Sequence, residues 1–209
     1  LARFGLERPN TLIIDFRFGE RLFTTNDPRT SNIVDVQPAD ATDISEVDQF
    51  SFYSGSNPDL IWAQNDSRIP LISLVELKFY QAEISGSLAD LQDAVRESML
   101  QYGVSTADAE AYITANVTSA SLEDIMNEAY VAFYGHASSI VWHNYRRTGF
   151  PALTPSPGGS NGLNPSGVIP RRWIYPIDER TTNGDNLNSA ISSQGWSSDL
   201  LDNPTDIFQ

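Results

Sequence analysis

The 209-residue sequence contains no cysteine, and this absence excludes several kinds of site at once. A disulfide scaffold, a thiolate nucleophile, cysteine-ligated zinc and iron–sulfur clusters all need that residue. Histidine is nearly as scarce, with only His136 and His143, seven residues apart. On a helix this spacing separates the two rings by about 10.5 Å along the axis, too far for one metal ion. We therefore expect structural roles for both histidines and no catalytic triad.

Long hydrophobic runs are also missing, since no stretch approaches the roughly 18 consecutive apolar residues of a membrane-spanning helix. Basic residues are few: there are 13 against 27 acidic residues, for a formal net charge of −14. The imbalance is concentrated in residues 30–145, where 17 acids face three bases. Nucleic acids and anionic lipid surfaces both require clustered lysine and arginine. This composition therefore argues against nucleic-acid binding and against electrostatic binding to lipid.

Residues 1–69 form a turn-rich segment in which the sequence predicts one helix. An apolar-periodic run through Leu12, Phe16 and Phe23 follows Asn10, which suits the N-cap position. The motif Asn-Asp-Pro-Arg at residues 26–29 has the chemistry of a turn, because Asn and Asp stabilise turns locally and Pro fixes φ.

Residues 70–148 form the helical region of the sequence. Two apolar stripes with a 3.6-residue period predict an antiparallel helical hairpin that spans Leu71–Tyr102 and turns at Gly86. Pro70 suits the first helical turn, where its missing N–H is not needed. The predicted stripes consist of Leu71, Leu74, Val75, Phe79 and Ala82, followed by Leu88, Leu91, Val95, Met99 and Tyr102.

Two further helices are predicted in the same region. Ser105 precedes a short helix that ends near Asn116. Ser121 and Asp124 have the spacing of a capping box, which predicts the start of another helix. The apolar stripe that follows predicts a single long helix, ended by Gly149 in its C′ position.

Residues 149–209 have a different composition. Ten of the 22 residues from Gly149 to Pro170 are Gly or Pro, so no regular element of useful length fits there. Residues 171–176 are predicted as a short strand and Asn188–Ser193 as a short helix. The three segments 1–69, 70–148 and 149–209 are predicted to form one mainly-α domain, with a helical hairpin, a long helix, extensive ordered coil and few short strands.

Acidic side chains offer two candidate chemistries. Glu76 and Glu83 share a helix face, and paired carboxylates can hydrolyse glycosidic bonds, but nothing places these two across a cleft. A connector with five acids can supply oxygen ligands for calcium, although the spacing of an EF-hand loop is absent. Its members are Asp35, Asp40, Asp43, Glu46 and Asp48. We therefore predict no catalytic residue, no metal site and no cofactor, with calcium as the alternative.

Aromatic residues in turn-rich segments are the remaining candidates for ligand contact. Exposed rings can stack on the apolar faces of sugars and other flat ligands. The candidates are Phe50, Phe52, Tyr53, Trp62, Trp173, Tyr175 and Trp196. Of these, Tyr53 and Trp62 are predicted as ligand-binding residues, whereas Trp142, on the predicted long helix, is expected in the core.

Several sequence segments, taken together in order and spacing, resemble a known family. Residues 70–83 form an apolar helix that ends in Ala-Glu, and residues 142–151 read Trp-His-Asn-Tyr-Arg-Arg-Thr-Gly-Phe-Pro. Residues 169–176 read Ile-Pro-Arg-Arg-Trp-Ile-Tyr-Pro and are followed by Asn-Leu-Asn at 186–188 and Gly-Trp at 195–196, and the Asn-Asp-Pro-Arg turn precedes them all. This set resembles the SusD/RagB family of outer-membrane lipoproteins of Bacteroidetes, in the SusD-like branch with an Arg-Arg-Thr-Gly signature. Phe150 stands where Tyr is common.

The resemblance implies a non-catalytic protein of the cell surface. Family members capture glycans, or in some branches peptides, and pass them to a TonB-dependent transporter of the SusC type in the outer membrane. They carry an N-terminal lipid anchor and tetratricopeptide-like helix pairs, and they are about twice this length. The chain would then be the C-terminal part of such a protein, without the anchor, and its helical hairpin the last of those pairs.

Five residues of the matching motifs are expected to have structural roles. Arg146 and Arg147 lie in the last turn of the predicted long helix, where positive charge opposes the helix dipole, and Gly149 ends that helix. Arg171 and Arg172 are expected to pair with the acidic middle of the chain. Because family ligand contacts vary, none is transferred. The alternatives to glycan capture are a peptide-capturing member, a glycoside hydrolase fragment and a purely structural transporter lid.

Overall fold

The computed structural model of the protein describes residues 14–35, 57–58, 70–155 and 159–204. The chain divides into two compact units, an N-terminal unit of residues 1–153 and a C-terminal unit of residues 154–209. Helices dominate the described part of the N-terminal unit, and the C-terminal unit combines two helices with extensive coil, which confirms the predicted mainly-α class. The tetratricopeptide-like character of the hairpin stays a prediction. Within the described residues, no helix is both long and apolar enough to cross a membrane.

The N-terminal unit contains seven described helices and a two-stranded antiparallel ladder. The helices are α1 (Phe16–Thr24), α2 (Thr30–Ile33), α3 (Leu74–Ser85), α4 (Leu88–Gln101), α5 (Thr106–Asn116), α6 (Leu122–Ala132) and α7 (Ser138–Thr148). The strands are β1 (Val34–Asp35) and β2 (Asn57–Pro58), with Val34 opposite Pro58. The C-terminal unit contains α8 (Ile177–Thr182) and α9 (Gly184–Ser193).

Helix α1 corresponds to the helix predicted near the N-terminus, but it begins at Phe16. Asp15 is its N-cap, with an extended backbone and a side chain that accepts a hydrogen bond from the Arg17 amide at 3.0 Å. This carboxylate satisfies one of the free N–H groups at the start of the helix. Asn10, the predicted cap, lies outside the described residues.

The predicted helical hairpin is confirmed as α3 and α4, with a later start than expected. Ser73 and Glu76 form a capping box, in which the Ser73 hydroxyl accepts from the Glu76 amide at 3.1 Å. Pro70 therefore precedes the helix instead of opening its first turn. Gly86 ends α3 with a φ of 62°, a conformation that glycine adopts without steric cost.

The predicted long helix is wrong, because two helices replace it. Its start is as predicted, since Ser121 and Asp124 form a capping box at the N-terminus of α6. The helix then ends at Ala132, and Gly135 adopts a φ of 83° before α7 begins at Ser138. The Ser138 hydroxyl accepts from the Gly135 amide at 3.2 Å. The apolar stripe continues across this turn although the backbone helix does not, which explains why periodicity alone missed the break.

Two apolar clusters form the core of the N-terminal unit. The larger joins the inner faces of α3 to α6, with Phe79 and Phe133 packed edge to face at 5.4 Å. The smaller lies around α1, where Phe18 stacks on Tyr134 with ring centroids 4.2 Å apart. Both are built largely from apolar side chains that recur at helical spacing.

The C-terminal unit departs from the prediction in residues 171–176, which are irregular coil and not a strand. The Tyr175 amide donates to an Asp199 carboxylate oxygen at 2.8 Å and so takes no part in a strand ladder. The predicted helix at Asn188–Ser193 is confirmed as the second half of α9, whereas α8 was not anticipated.

His136, in the turn between α6 and α7, makes the stability of the unit depend on pH. Its ring is half-buried 6.3 Å from that of Phe133, and burial lowers its pKa below the ordinary 6.5. As pH falls through 6.5, the unfolded chain gains a proton that the folded chain resists, so the free energy of unfolding should decrease. Between pH 7.5 and pH 5.5, the free energy of unfolding in urea should decrease less for His136→Gln than for the wild type.

The exposed His143 on α7 provides the matched control for this experiment. A His143→Gln variant should keep the pH response of the wild type, because both proteins retain the half-buried His136. An identical response in the wild type and in both variants would contradict a role for His136.

Candidate functional site

The ligand contacts predicted from sequence at Tyr53 and Trp62 lie outside the described residues and stay predictions. So does most of the acidic connector proposed for calcium, of which only the backbone of Asp35, in β1, is described. Within the ranges that the structure describes, no three His, Asp or Glu residues are grouped closely enough to hold a metal ion.

Arg172 is the centre of a polar and aromatic cluster in the C-terminal unit. Its side chain is buried, and its guanidinium carbon lies 4.7 Å from the ring centroid of Trp196 and 5.2 Å from that of Tyr175. Nη1 donates to Asp199 Oδ1 at 2.6 Å and to the Leu200 carbonyl at 2.9 Å. A planar guanidinium can stack and donate in this way at once, which an ammonium group cannot. We call these residues, with Arg180, the Arg172 cluster.

Asp199 holds the cluster together through its two carboxylate oxygens. Oδ2 accepts from Arg180 Nη2 at 2.9 Å and from the Tyr175 amide at 2.8 Å, while Oδ1 accepts from Arg172. Burial alone would raise the pKa of Asp199, but these donors outweigh it and hold the pKa below the ordinary value. The carboxylate is therefore ionised at neutral pH.

The segment fixed by this cluster presents apolar side chains to solvent. Trp173 is 75% exposed, Ile177 is 70% exposed and Tyr175 is 37% exposed. An indole with this exposure is unusual, because tryptophan is highly buried on average. We call these three residues the Trp173 surface.

Among the residues that the structure describes, Arg172 pairs with the carboxylate of Asp199, and its predicted pairing with the acidic middle of the chain stays a prediction. Its carboxylate partner, Asp199, lies 27 residues further along the sequence and within the same unit. The exposed Arg171 precedes it, and its predicted pairing stays a prediction.

A groove between α3 and α7 is the second candidate site, in the N-terminal unit. It has a volume of about 490 Å³. Its walls are partly apolar, from Tyr80, Ile84 and Ile140, and partly polar, from Glu83, His143, Asn144 and Arg147. Such a concave mixture of apolar and polar side chains is typical of binding sites.

The residues of the Arg-Arg-Thr-Gly motif lie at the end of α7, beside this groove. Arg147 makes two hydrogen bonds to Glu83 on α3, one of them from Nη2 to Oε2 at 2.9 Å. The guanidinium carbon of Arg146 lies 4.5 Å from the ring centroid of Trp142. Trp142 is half-buried, whereas the sequence predicted it in the core. Gly149 ends the helix with a φ of 79°.

Arg29, a completely buried charge in the described part of the N-terminal unit, was missed in the sequence. The motif at residues 26–29 predicted only a turn, yet the Arg29 side chain is completely buried. Its Nη2 lies 2.6 Å from Asp27 Oδ2 and 3.3 Å from Glu128 Oε2 on α6. A lone arginine in turn chemistry carries no sequence signal of burial, because its distant partner is brought close only by folding.

The sequence of this chain matches a known protein family. A family model described as SusD-like, starch-binding and associating with the outer membrane matches residues 5–176. No curated protein matches the chain significantly.

Solved structures share the fold over nearly the whole chain. A SusD homologue from Bacteroides fragilis, solved at 2.00 Å, matches with a TM-score of 0.75 and 19% identity over 94% of this chain and 52% of its own. A chitin-binding protein matches with a TM-score of 0.68 and 21% identity, over 92% and 50%. A second B. fragilis SusD homologue, solved at 1.50 Å, matches with a TM-score of 0.68 and 20% identity, over 92% and 51%.

The chain therefore spans about half the length of the solved structures that it matches. At these identities the structures establish the fold, whereas the family model covers most of the sequence and includes the motif segments as far as residue 176. The sequence motifs, the helical fold and the family match thus agree, and the chain belongs to the SusD-like family of outer-membrane-associated proteins.

Proposed function

We propose that this protein captures glycans at the outer surface of the outer membrane and delivers them, without catalysis, to a TonB-dependent transporter of the SusC type. The family description, starch-binding and associated with the outer membrane, supports the ligand class and the location. The chitin-binding relative also supports a polysaccharide as ligand. Delivery to the transporter and attachment by a lipid anchor are proposed from the family resemblance of the sequence motifs.

The exposure of Trp173 is the observation that carries glycan binding. The Trp173 residue is 75% exposed, and aromatic faces stack on the apolar faces of sugar rings. The neighbouring Arg172 is buried and bonded to Asp199, so the backbone that carries the ring is fixed before a ligand arrives. A site that is already ordered loses less entropy on binding.

The electrostatics of the same cluster favour binding over hydrolysis. A glycoside hydrolase needs a carboxylic acid that is protonated at neutral pH, and such groups have raised pKa values. Asp199, the carboxylate bonded to the Tyr175 amide, has a lowered pKa and is engaged by Arg172 and Arg180. It is therefore unsuited to donate a proton to a leaving group at this surface.

Substitution of Trp173 tests the proposal directly. Because loss of a stacked ring costs about 1–3 kcal/mol, Trp173→Ala should weaken binding roughly 5- to 150-fold, and Trp173→Phe should weaken it less. Isothermal titration with chitin and starch oligosaccharides measures this effect. Ile177→Ala is the matched control, because its side chain is 70% exposed on the same surface and has no aromatic face.

The same titration separates the proposal from its alternatives. Equal affinities for the wild type and Trp173→Ala would contradict glycan binding at this surface. Release of shorter sugars would indicate a hydrolase, and binding of peptides instead of sugars would indicate the peptide-capturing branch. Binding to the transporter alone would indicate a structural lid.

A further inference from the structure

Two asparagines of the C-terminal unit are followed directly by glycine, Asn161 by Gly162 and Asn183 by Gly184. An asparagine in this setting can react with its own backbone, because the glycine has no Cβ to hinder attack by its amide nitrogen on the asparagine side chain. In a folded protein, the reaction depends on how the fold holds that nitrogen and the side-chain carbon Cγ.

The reaction is a deamidation that consumes only water. The glycine nitrogen forms a bond to Cγ, its proton passes to the side-chain nitrogen, and ammonia leaves as the bond from that nitrogen to Cγ breaks. The product is a cyclic succinimide. Water then opens the ring at either carbonyl and leaves an aspartyl or an isoaspartyl residue, so no oxidant, reductant or cofactor is needed.

Asn183, between α8 and α9, is held in a geometry that prevents this attack. Its backbone has a ψ of 28°. Because the substituents of Cα are tetrahedral, this ψ turns the Gly184 nitrogen almost opposite to Cβ and so away from Cγ. The side chain is fixed as well, since Nδ2 donates to Glu179 Oε1 at 2.6 Å and Oδ1 accepts from Asn186 Nδ2 at 2.6 Å. The two reacting atoms therefore stay apart while α9 is folded.

Asn161 lies in a turn that favours the attack. Its side-chain oxygen Oδ1 accepts from the Leu163 amide at 2.9 Å and from the Asn164 amide at 3.1 Å, while Nδ2 donates to the Gly159 carbonyl at 3.2 Å. Donors at a carbonyl oxygen stabilise the negative charge that develops there when a nucleophile attacks the carbon. The turn therefore activates the Asn161 side chain beside the Gly162 nitrogen.

The surroundings of this turn leave room for the reaction. Asn161 and Gly162 are both exposed, so water can reach the succinimide. A Cβ built on Gly162 would meet no atom of the described residues within 4 Å, so the peptide group can rotate towards Cγ. We propose that Asn161 is a site of spontaneous deamidation in the folded protein and that Asn183 is protected. This inference does not depend on glycan binding.

The modified turn is connected to the Arg172 cluster. The Leu163 carbonyl accepts from the Leu201 amide at 2.8 Å, and the neighbouring Leu200 carbonyl accepts from Arg172. An isoaspartyl residue carries the main chain through its Cβ and so lengthens the backbone between residues 161 and 162. Deamidation therefore changes the turn to which this segment is hydrogen-bonded.

Peptide mapping by mass spectrometry during incubation of the purified protein in mildly alkaline buffer measures the reaction at both asparagines. We expect deamidation at Asn161 to be at least tenfold faster than at Asn183 in the folded protein. In urea the two rates should approach each other, because the fold no longer sets the geometry. The Asn161 peptide should contain both aspartyl and isoaspartyl products, which chromatography separates.

Gly162→Ala is the matched variant, because it adds only the Cβ that hinders the attack and the turn has room for it. It should slow deamidation at Asn161 and leave the rate at Asn183 unchanged. Equal rates at the two asparagines in the folded protein would overturn the proposal. So would deamidation of Asn161 in urea alone, or a rate at Asn161 that Gly162→Ala does not change.

Discussion

Replacement of Arg29 by methionine should lower the free energy of unfolding of the N-terminal unit by about 3–5 kcal/mol, because it leaves buried carboxylates without their main partner. The Asp27 side chain is completely buried, and Glu128 is 8% exposed. Arg29 also donates to the Ser98 hydroxyl at 2.9 Å, so one guanidinium joins the α1–α2 turn to α4 and α6.

The neighbours of Arg29 cannot compensate for its loss. Glu128 would retain Arg21 at 3.2 Å and the Tyr112 hydroxyl at 3.1 Å, but Asp27 would lose the one ion pair that it makes among the described residues. Burial opposes the charge on Arg29, yet Asp27 and Glu128 together raise its pKa above the ordinary value. The cation is therefore present at every pH at which the unit folds.

Urea unfolding followed by circular dichroism would measure this effect. Arg96→Met is the matched control, because Arg96 is one-third exposed and pairs with Asp93 and Glu110 near the surface. Such pairs contribute about 0–1 kcal/mol. Arg29→Lys should recover only part of the loss, because one ammonium cannot reach Asp27, Ser98 and Glu128 together. A cost below about 1 kcal/mol for Arg29→Met would contradict the assigned role.

Replacement of Asp199 by alanine should destabilise the C-terminal unit by about 3 kcal/mol and also weaken glycan binding. The substitution removes the carboxylate that pairs with Arg172 and Arg180, and it leaves Arg172 buried with its charge uncompensated. It also frees the Tyr175 amide, so the Trp173 surface loses its fixed backbone. Unfolding by urea, followed by tryptophan fluorescence, measures the first effect, and titration with oligosaccharides measures the second.

Asp202→Ala is the matched control in the same segment. Its carboxylate accepts from the Ser166 amide at 3.0 Å and so makes a smaller contribution, about 1 kcal/mol. Because the pKa of Asp199 is lowered in the folded protein, its carboxylate should stabilise the C-terminal unit fully above pH 3.8, the ordinary pKa of aspartate. This stabilisation should disappear as the pH falls through the pKa of the folded protein. Wild-type stability and binding in Asp199→Ala would contradict this account of the cluster.

Local signals accounted for much of the helical structure. The hydroxyl caps at Ser105 and Ser121 and the turn at Gly86 depend on contacts with residues only a few positions away. The helix ends that they form can therefore be predicted from the neighbouring sequence. The same is true of the apolar period that predicts α3 and α4. Where a stripe continues across a break, as at Gly135, periodicity gives the wrong element because it does not report backbone conformation.

The candidate ligand-binding residues and the ion-pair partners were harder to predict from local sequence signals. The aromatic candidates included Trp173, Tyr175 and Trp196, but nothing local separates an exposed indole from one that stacks on a buried guanidinium. The pairing of Arg172 with Asp199 was not predicted, for the same reason. Acids are abundant throughout the chain, and composition does not select among them.

By itself, the sequence determined the helical class, the caps at Ser105 and Ser121, the helix ends at Gly86 and Gly149 and, through its combined motifs, the family. Tertiary structure alone decided that Arg29 is buried against Glu128, 99 residues away, and that Arg172 binds Asp199. It also decided that α3 presents a second apolar face to solvent. The physical reason is one of range. Caps and turns are satisfied by neighbouring residues, whereas burial and ion pairing depend on which distant surfaces the folded chain brings together.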